Sequence, residues 1–265
     1  MIALKGEVLS LVFTKKMIAK IKSKLSPKAK RSIANVLAVF VFYNLKALAK
    51  VYKPSKGKVY DFYTLYTKHL KRFRFKKIRL LEIGVGGYED PERGGASLRM
   101  WRSFFPFSRV FAIDINDKSP HEERRIKIFK GSQSDTLFLE KMLAKTGNLD
   151  VIIDDGSHFS KDVITSFEYL FPHLNHGGVY VIEDTQTSYW KACGGSMDKQ
   201  EKTTMNYFKD LVDGINYEEF PVPGYQANYF EKNIVSIHFY HNIIFIKKDK
   251  NNKGSNVLTN NVMPS

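Results

Sequence analysis

The sequence predicts an α/β protein: a doubly wound, Rossmann-like, mainly parallel sheet with a terminal antiparallel hairpin, preceded by a short basic helical arm. Three observations carry this expectation. From Ile78 onward, short apolar runs alternate with segments of helical periodicity, the pattern of successive β-α units. Glycines and acids collect at the carboxyl ends of those runs. The start of the chain is different in kind, because residues 1–50 contain eleven Lys or Arg against one acid, Glu7. Ten of the fifteen net positive charges therefore sit in the first fifth of the chain.

The arm, "KKMIAKIKSKLSPKAKRSIANVLAVFVFYNLKALAKVY", reads as two helices broken near Ser26-Pro27, the first carrying Met17, Ile18, Ile21 and Leu25 at helical spacing among lysines. A basic amphipathic helix can dock on its own core or on a second subunit, lie on anionic lipid, or line a nucleic-acid channel. No recognisable RNA or DNA module accompanies it, so nucleic acid is not the expected partner. The apolar stretch Val36 to Tyr43 points to a homo-oligomer. It is also the longest such run, and far short of the roughly 18 residues of a membrane-spanning helix. The opening residues, "MIALKGEVLSLVFTKK", interrupt every apolar stretch with charge and do not form a secretory signal.

The strands follow in order: "IRLLEIGVGG", "RVFAIDIND", "IKIFKG", "LDVIIDDG" and "GGVYVIED". Between them "ASLRMWRSFF", "TLFLEKMLAK" and "KDVITSFEYLFPHL" have the helical period. "IVSIHFYHNIIFIKK" supplies two apolar strands around a polar break at His241-Asn242, an antiparallel pair closing the sheet. The domain organisation expected is an arm over 1–52, an α/β domain over 53–248 and a flexible polar tail over 249–265. At 265 residues and 43% hydrophobic content the chain can bury one substantial core. The single cysteine, Cys193, excludes an intramolecular disulfide and a cysteine-rich zinc site. It suits a reducing compartment, so the expected location is cytoplasmic, peripheral at the inner face of a membrane if the arm engages lipid.

In a doubly wound sheet, ligands bind at the carboxyl ends of the strands where the strand order reverses. The first strand ends in "LEIGVGG", where Gly84, Gly86 and Gly87 allow close backbone approach, and the second ends in Asp114, an acid able to accept ribose hydroxyls. The Gly-Lys-Ser/Thr ending of a phosphate loop is absent. Glu82-x-Gly84-x-Gly86 instead resembles the first motif of class I methyltransferases, whose ligand, S-adenosylmethionine, is a nucleoside without phosphates.

The resemblance extends over most of residues 55–248. "LLEIGVGGYEDPERGGASLRMW", "DVIIDDGSHFSKDVITSFEYLFPHLNHGGVYVIEDTQTSYW" and "SIHFYHNIIFI" are similar to the macrolide-sugar O-methyltransferases of the demethylmacrocin and mycinamicin type, which methylate a deoxysugar hydroxyl and need magnesium. The likeness implies that Glu82, Gly84, Gly86, Gly87, Ser97, Asp114 and Gln133 hold the cofactor. It implies Asp155, Glu183 and Asp184 as metal ligands and His158 as the catalytic base. Its expected acceptor is a sugar-bearing molecule, either a glycoside or a lipid-linked or polyanionic glycan.

The residues support that assignment by themselves. If the fourth and fifth strands are neighbours, Asp155 and the pair Glu183-Asp184 converge. Two like charges about 4 Å apart repel by roughly 4 kcal/mol at an effective dielectric of 20, so the cluster should hold protons or recruit a cation. Oxygen donors select a hard ion, Mg²⁺ foremost, with Mn²⁺ or Ca²⁺ as alternatives. Asp154 is expected to cap the following turn. Histidine, which in isolation titrates near 6.5, is the side chain suited to take a proton from a hydroxyl at neutral pH, and His158 lies three residues past Asp155. Tyr189 and Trp190 are candidate walls of an acceptor pocket. Tyr60 stands where relatives often have histidine. Two other readings share this fold: a catechol-type O-methyltransferase, with the same metal logic, and an RNA ribose methyltransferase, with the same basic charge.

Overall fold

The structure, a computed structural model, describes residues 26–54 and 61–264. The predicted helix around Met17 to Leu25 and the segment with Tyr60 lie outside the described residues. Seven strands form one sheet: β1 Arg79–Ile83, β2 Arg109–Asp114, β3 Ile126–Lys130, β4 Leu149–Asp154, β5 Leu174–Glu183, β6 Ile234–Tyr240 and β7 Ile243–Lys248. Their order is β3-β2-β1-β4-β5-β7-β6. The first five run parallel, and β7 lies antiparallel between β5 and β6. This is the expected doubly wound sheet with its closing hairpin.

Period-two alternation splits the sheet residues between two cores. Leu80, Ala112, Val151, Ile153, Val181 and Phe245 face one layer of helices: α1 Pro27–Val41, α2 Leu45–Tyr52, α3 Phe62–Leu70 and α4 Ala96–Phe104. Leu81, Ile83, Ile113, Ile152, Tyr180 and Ile244 face the other: α5 Thr136–Thr146, α6 Ser160–Leu170, α7 Thr204–Gly214 and α8 Tyr229–Asn233. Each fully buried Leu, Ile or Phe contributes about 1.5–3 kcal/mol, and together the two layers fix the strand ends on which the site is built.

Two expectations about organisation need correction. The described part of the arm is no separate unit, since Ala38, Leu45, Leu48, Ala49 and Tyr52 are buried in the same core as the strands. It also divides once more than predicted. Ser26 caps α1, its hydroxyl accepting from the Ala29 amide at 3.2 Å, and Asn44 opens α2 by accepting from Ala47 at 3.0 Å. The Tyr52 hydroxyl meets Asn35 and Ser103, and Arg102 donates to Asn35 at 2.7 Å. Arg31 of α1 donates to the carbonyls of Pro120 at 3.1 Å and Glu92 at 3.4 Å, tying the arm to two loops beside the strand tips. The polar tail, expected to be flexible, is pinned instead. Asn251 donates to Ile215 and Glu231, and Asn261 donates to Tyr217 and Phe220. Among the described residues, no helix is long and apolar enough to cross a membrane.

Candidate active site

The chain runs outward from β1 through β2 to β3, then returns to β4 on the other side of β1, so the strand order reverses between β1 and β4. A cleft of about 640 Å³ opens at that point, along the carboxyl ends of the parallel strands. Gly84 closes its floor. At φ +89° a Cβ there would stand 2.2 Å from the Asp155 carbonyl oxygen, so the exits of β1 and β4 meet only because the side chain is absent. Gly86 differs: at φ +78° it lines the cleft, and a Cβ would meet nothing within 4 Å. Its backbone is therefore open to a ligand.

Asp114, the last residue of β2, lines the same cleft. One carboxylate oxygen accepts from the Val85 amide and the other from Asn116, both at 2.9 Å, which fixes the group and leaves each oxygen a further lone pair for a hydroxyl. Gly87 also lines the cleft. The long connection from Gly87 to α4 is held by Lys118, buried although charged, which donates to the carbonyls of Asp90 at 2.7 Å and Arg93 at 3.3 Å.

Three expected cofactor residues sit differently. Glu82 is buried on the face of β1 that carries Leu80, and Ser97 is buried in the first turn of α4; neither lines the cleft. Gln133 borders it, but its amide nitrogen donates to Asp154 and Ser166, and its oxygen accepts from the Ser157 amide at 2.8 Å. Its amide also shapes the β4–α6 loop. The glycine motif could not reveal this, because strand alternation and the loop's return path decide where these side chains go. Asp154 accepts from Gly156 at 3.3 Å, as a turn cap should, and also from Ser166 at 2.8 Å. Burial lifts its carboxyl to about 6 despite those bonds.

The acids converge as the strand order requires. Asp155 follows β4, Glu183 ends β5, and Asp184 begins the turn after it. Ligand-capable atoms of Asp155, His158 and Asp184 all lie within 4.8 Å of one another, and His158 Nε2 is 3.6 Å from Asp184 Oδ2. Glu183 is buried and borders the same cleft, but stands outside that compact trio, its Oε1 accepting the Tyr66 hydroxyl. Burial, with Glu183, Asp155 and Glu82 adding to it, drives the Tyr66 phenol well above its ordinary pKa, so it remains a donor. His158 and Asp184 both hold left-handed backbone, φ +59° and +54°, which costs roughly 1–3 kcal/mol for each residue without glycine's freedom. Such strain persists where surrounding structure insists on it. Carboxylate oxygens at this density fit a hard divalent cation.

Phe62 and Tyr66 were not anticipated. Both lie on α3, which Asp61 caps by accepting from Thr64, and their spacing with Leu70 marks one buried helix face. That i, i+4, i+8 pattern was the available signal, but not that the Tyr66 hydroxyl meets an acid 117 residues away. Tyr189 and Trp190 end the turn after Asp184, each about half exposed and outside the cleft lining.

No family model matches the chain. It is 44% identical over 209 residues to mycinamicin VI 2''-O-methyltransferase of Micromonospora griseorubida, a match covering 78% of this chain and 52% of that protein. It is 43% identical over 204 residues to demethylmacrocin O-methyltransferase of Streptomyces fradiae, covering 76% and 52%. It is 41% identical over 208 residues to 8-demethyl-8-alpha-L-rhamnosyl tetracenomycin-C 2'-O-methyltransferase of Streptomyces olivaceus, covering 78% and 55%. The chain thus spans about half the length of the curated relatives it matches. Among solved structures, the MycE methyltransferase of the mycinamycin biosynthetic pathway, in complex with Mg and SAH, aligns with a TM-score of 0.77 at 44% identity, over 80% of this chain and 55% of that one. A further crystal structure of that enzyme holds Mg, SAH and mycinamycin VI and aligns with a TM-score of 0.76.

Proposed function

We propose that this chain, a homologue of the macrolide-sugar O-methyltransferases, is itself an S-adenosylmethionine-dependent and divalent-metal-dependent O-methyltransferase acting on a sugar hydroxyl. The observation that carries this reading is the gathering of Asp155, Asp184 and His158 within 4.8 Å, with Glu183 on the wall of the same cleft, beside the glycine-lined exit of β1. Gly84, Gly86, Gly87 and Asp114 would hold the cofactor. Asp155, Glu183 and Asp184 would hold the cation, and His158 would serve as base.

When bound, the sulfonium supplies an electrophilic methyl group and the cation acidifies a hydroxyl that it touches. The chain's own residues do the rest. The open backbone at Gly86 admits the cofactor closely, and Asp114, fixed by two amides, accepts its hydroxyls. His158 Nε2 takes the acceptor's proton, and Asp184, 3.6 Å away, stabilises the resulting imidazolium. Tyr66 holds Glu183 from behind. Tyr189 and Trp190, exposed just past the acids, offer aromatic faces on which a sugar ring can stack. The acceptor would be a glycoside, or, where the basic arm brings the enzyme to the inner face of a membrane, a lipid-linked or polyanionic glycan.

The test is transfer of label from S-adenosylmethionine to a panel of glycosides, lipid-linked glycans and catechols, with Mg²⁺ and with a chelator. Label entering a glycan only when the metal is present is the expected result. Transfer to catechols alone, or transfer indifferent to chelator, would contradict it.

A further inference from the structure

The apolar surface of α1 extends well beyond the face that it buries. Its inner face, Ala34, Ala38 and Val41, packs on the core, and Asn35 is bonded by Arg102 and Tyr52. Its outer face carries Ile33, Val36, Leu37 and Phe40 at i, i+3, i+4 and i+7, all exposed, Val36 at 62% and Phe40 at 73%. Among the described residues nothing covers this second stripe.

The surrounding charge identifies the occupant. Ser26 to Pro54 contains six Lys or Arg and no acid, and the exposed Lys28 and Lys30 stand one turn ahead of the stripe. Val39 and Phe42 at its edge border a recess of about 370 Å³ that also carries the exposed Arg124; Arg102 and Arg125 beside it are engaged, the first by Glu123 and the second by the carbonyls of Phe105, Ser108 and Arg102. A second copy laid on this face would set like charge against like. An anionic bilayer supplies both what the stripe and its flanks lack, an apolar interior beneath a negatively charged surface.

We propose that the outer stripe of α1 is a peripheral docking surface for anionic phospholipid, with Ile33, Val36, Leu37 and Phe40 entering the interface and the exposed Lys28, Lys30 and Arg124 meeting the headgroups. This gives the arm's membrane contact a location on the fold, and it rests on that placement of the arm rather than on the methyl-transfer chemistry. Because α1 is bonded rigidly to the body, docking there orients the whole molecule.

The experiment is co-sedimentation of the full chain with vesicles of phosphatidylcholine alone and of phosphatidylcholine mixed with phosphatidylglycerol, in low and high salt. Binding is expected to the anionic vesicles, weakening with salt. Phe40→Ser and Val36→Ser, at exposed positions that the fold does not use, should each lower it about tenfold. Lys28→Glu with Lys30→Glu should lower it further at low salt. Binding unaffected by these variants, equal binding to both vesicle types, or none by a folded chain would overturn the proposal. So would sedimentation velocity showing self-association that Phe40→Ser abolishes, which would assign the stripe to a second copy. Turnover is not measured, so failure here leaves the methyl-transfer reading untouched, and the reverse also holds.

Discussion

Removing the Tyr66 hydroxyl tests whether Glu183 is held for metal binding or merely buried. Tyr66→Phe deletes one donor and keeps the ring between Trp101, at 4.9 Å centroid distance, and Phe245, at 5.5 Å. Tyr66 and Glu183 are both buried, so water cannot readily take the hydroxyl's place. A hydrogen bond to a charged group contributes about 1.5–3 kcal/mol, and the metal-free protein should lose roughly that much in urea unfolding. Loss of a partner behind a metal ligand typically weakens metal affinity about 10–100-fold, equivalent to about 1.4–2.7 kcal/mol. Titrating Mg²⁺ into the methyl-transfer assay should show the half-saturating concentration rising by that factor, with the maximal rate largely regained at high Mg²⁺. An unchanged Mg²⁺ requirement in a variant of reduced stability would refute the reasoning, leaving Tyr66 as a packing residue and Glu183 outside the metal site.

Three further outcomes are expected. His158→Ala should lower the methyl-transfer rate about 10²–10⁴-fold while cofactor affinity by calorimetry and the Mg²⁺ requirement persist; loss of the metal instead would make the imidazole a ligand. Gly84→Ala should unfold or strongly destabilise the chain, because its methyl would stand 2.2 Å from the Asp155 carbonyl, whereas Gly86→Ala should fold and lose cofactor affinity. Thermal melts with and without cofactor separate the two. Asp154, at about 6 in the fold against an ordinary value near 3.8, binds its proton more tightly when folded, so its contribution is fully present below about pH 3.8 and lost as pH rises through 6. At roughly 1.36 kcal/mol per pH unit that span is worth about 3 kcal/mol. The stability difference between the natural chain and Asp154→Asn, measured by urea unfolding from pH 4 to 7, should change in that direction; a flat difference would mean that Asp154 titrates normally.

Much of this architecture was legible in the residues. The alternation of apolar runs with helical segments announced the sheet, and the acids at the ends of "LDVIIDDG" and "GGVYVIED" announced a charged cluster, because neighbouring parallel strands must bring their ends together. What stayed hidden depended on pairings that no local pattern encodes. Glu82 looked like part of a glycine motif, but strand alternation turns it to the buried face of Leu80. Gln133 borders the cleft where a cofactor residue is expected, but that its amide also ties the returning loop could not be read locally. Tyr66 lay in a helix whose buried face was readable, while its contact with Glu183 depends on how α3 lies across β5. The αL geometry of His158 and Asp184 likewise has no signature in residue type.

The place of β7 has a consequence for how this protein comes into being. Glu183 pairs with Ile243, and the Thr185 amide donates to Asn242, so the last strand walls the end of β5 where the acids gather. During vectorial synthesis Asp155, His158, Glu183 and Asp184 all leave the ribosome well before that wall exists. The acidic centre is therefore completed only once β7 has emerged and paired with β5. A fragment ending short of Ile243 would keep every one of those four side chains and still lack the completed site.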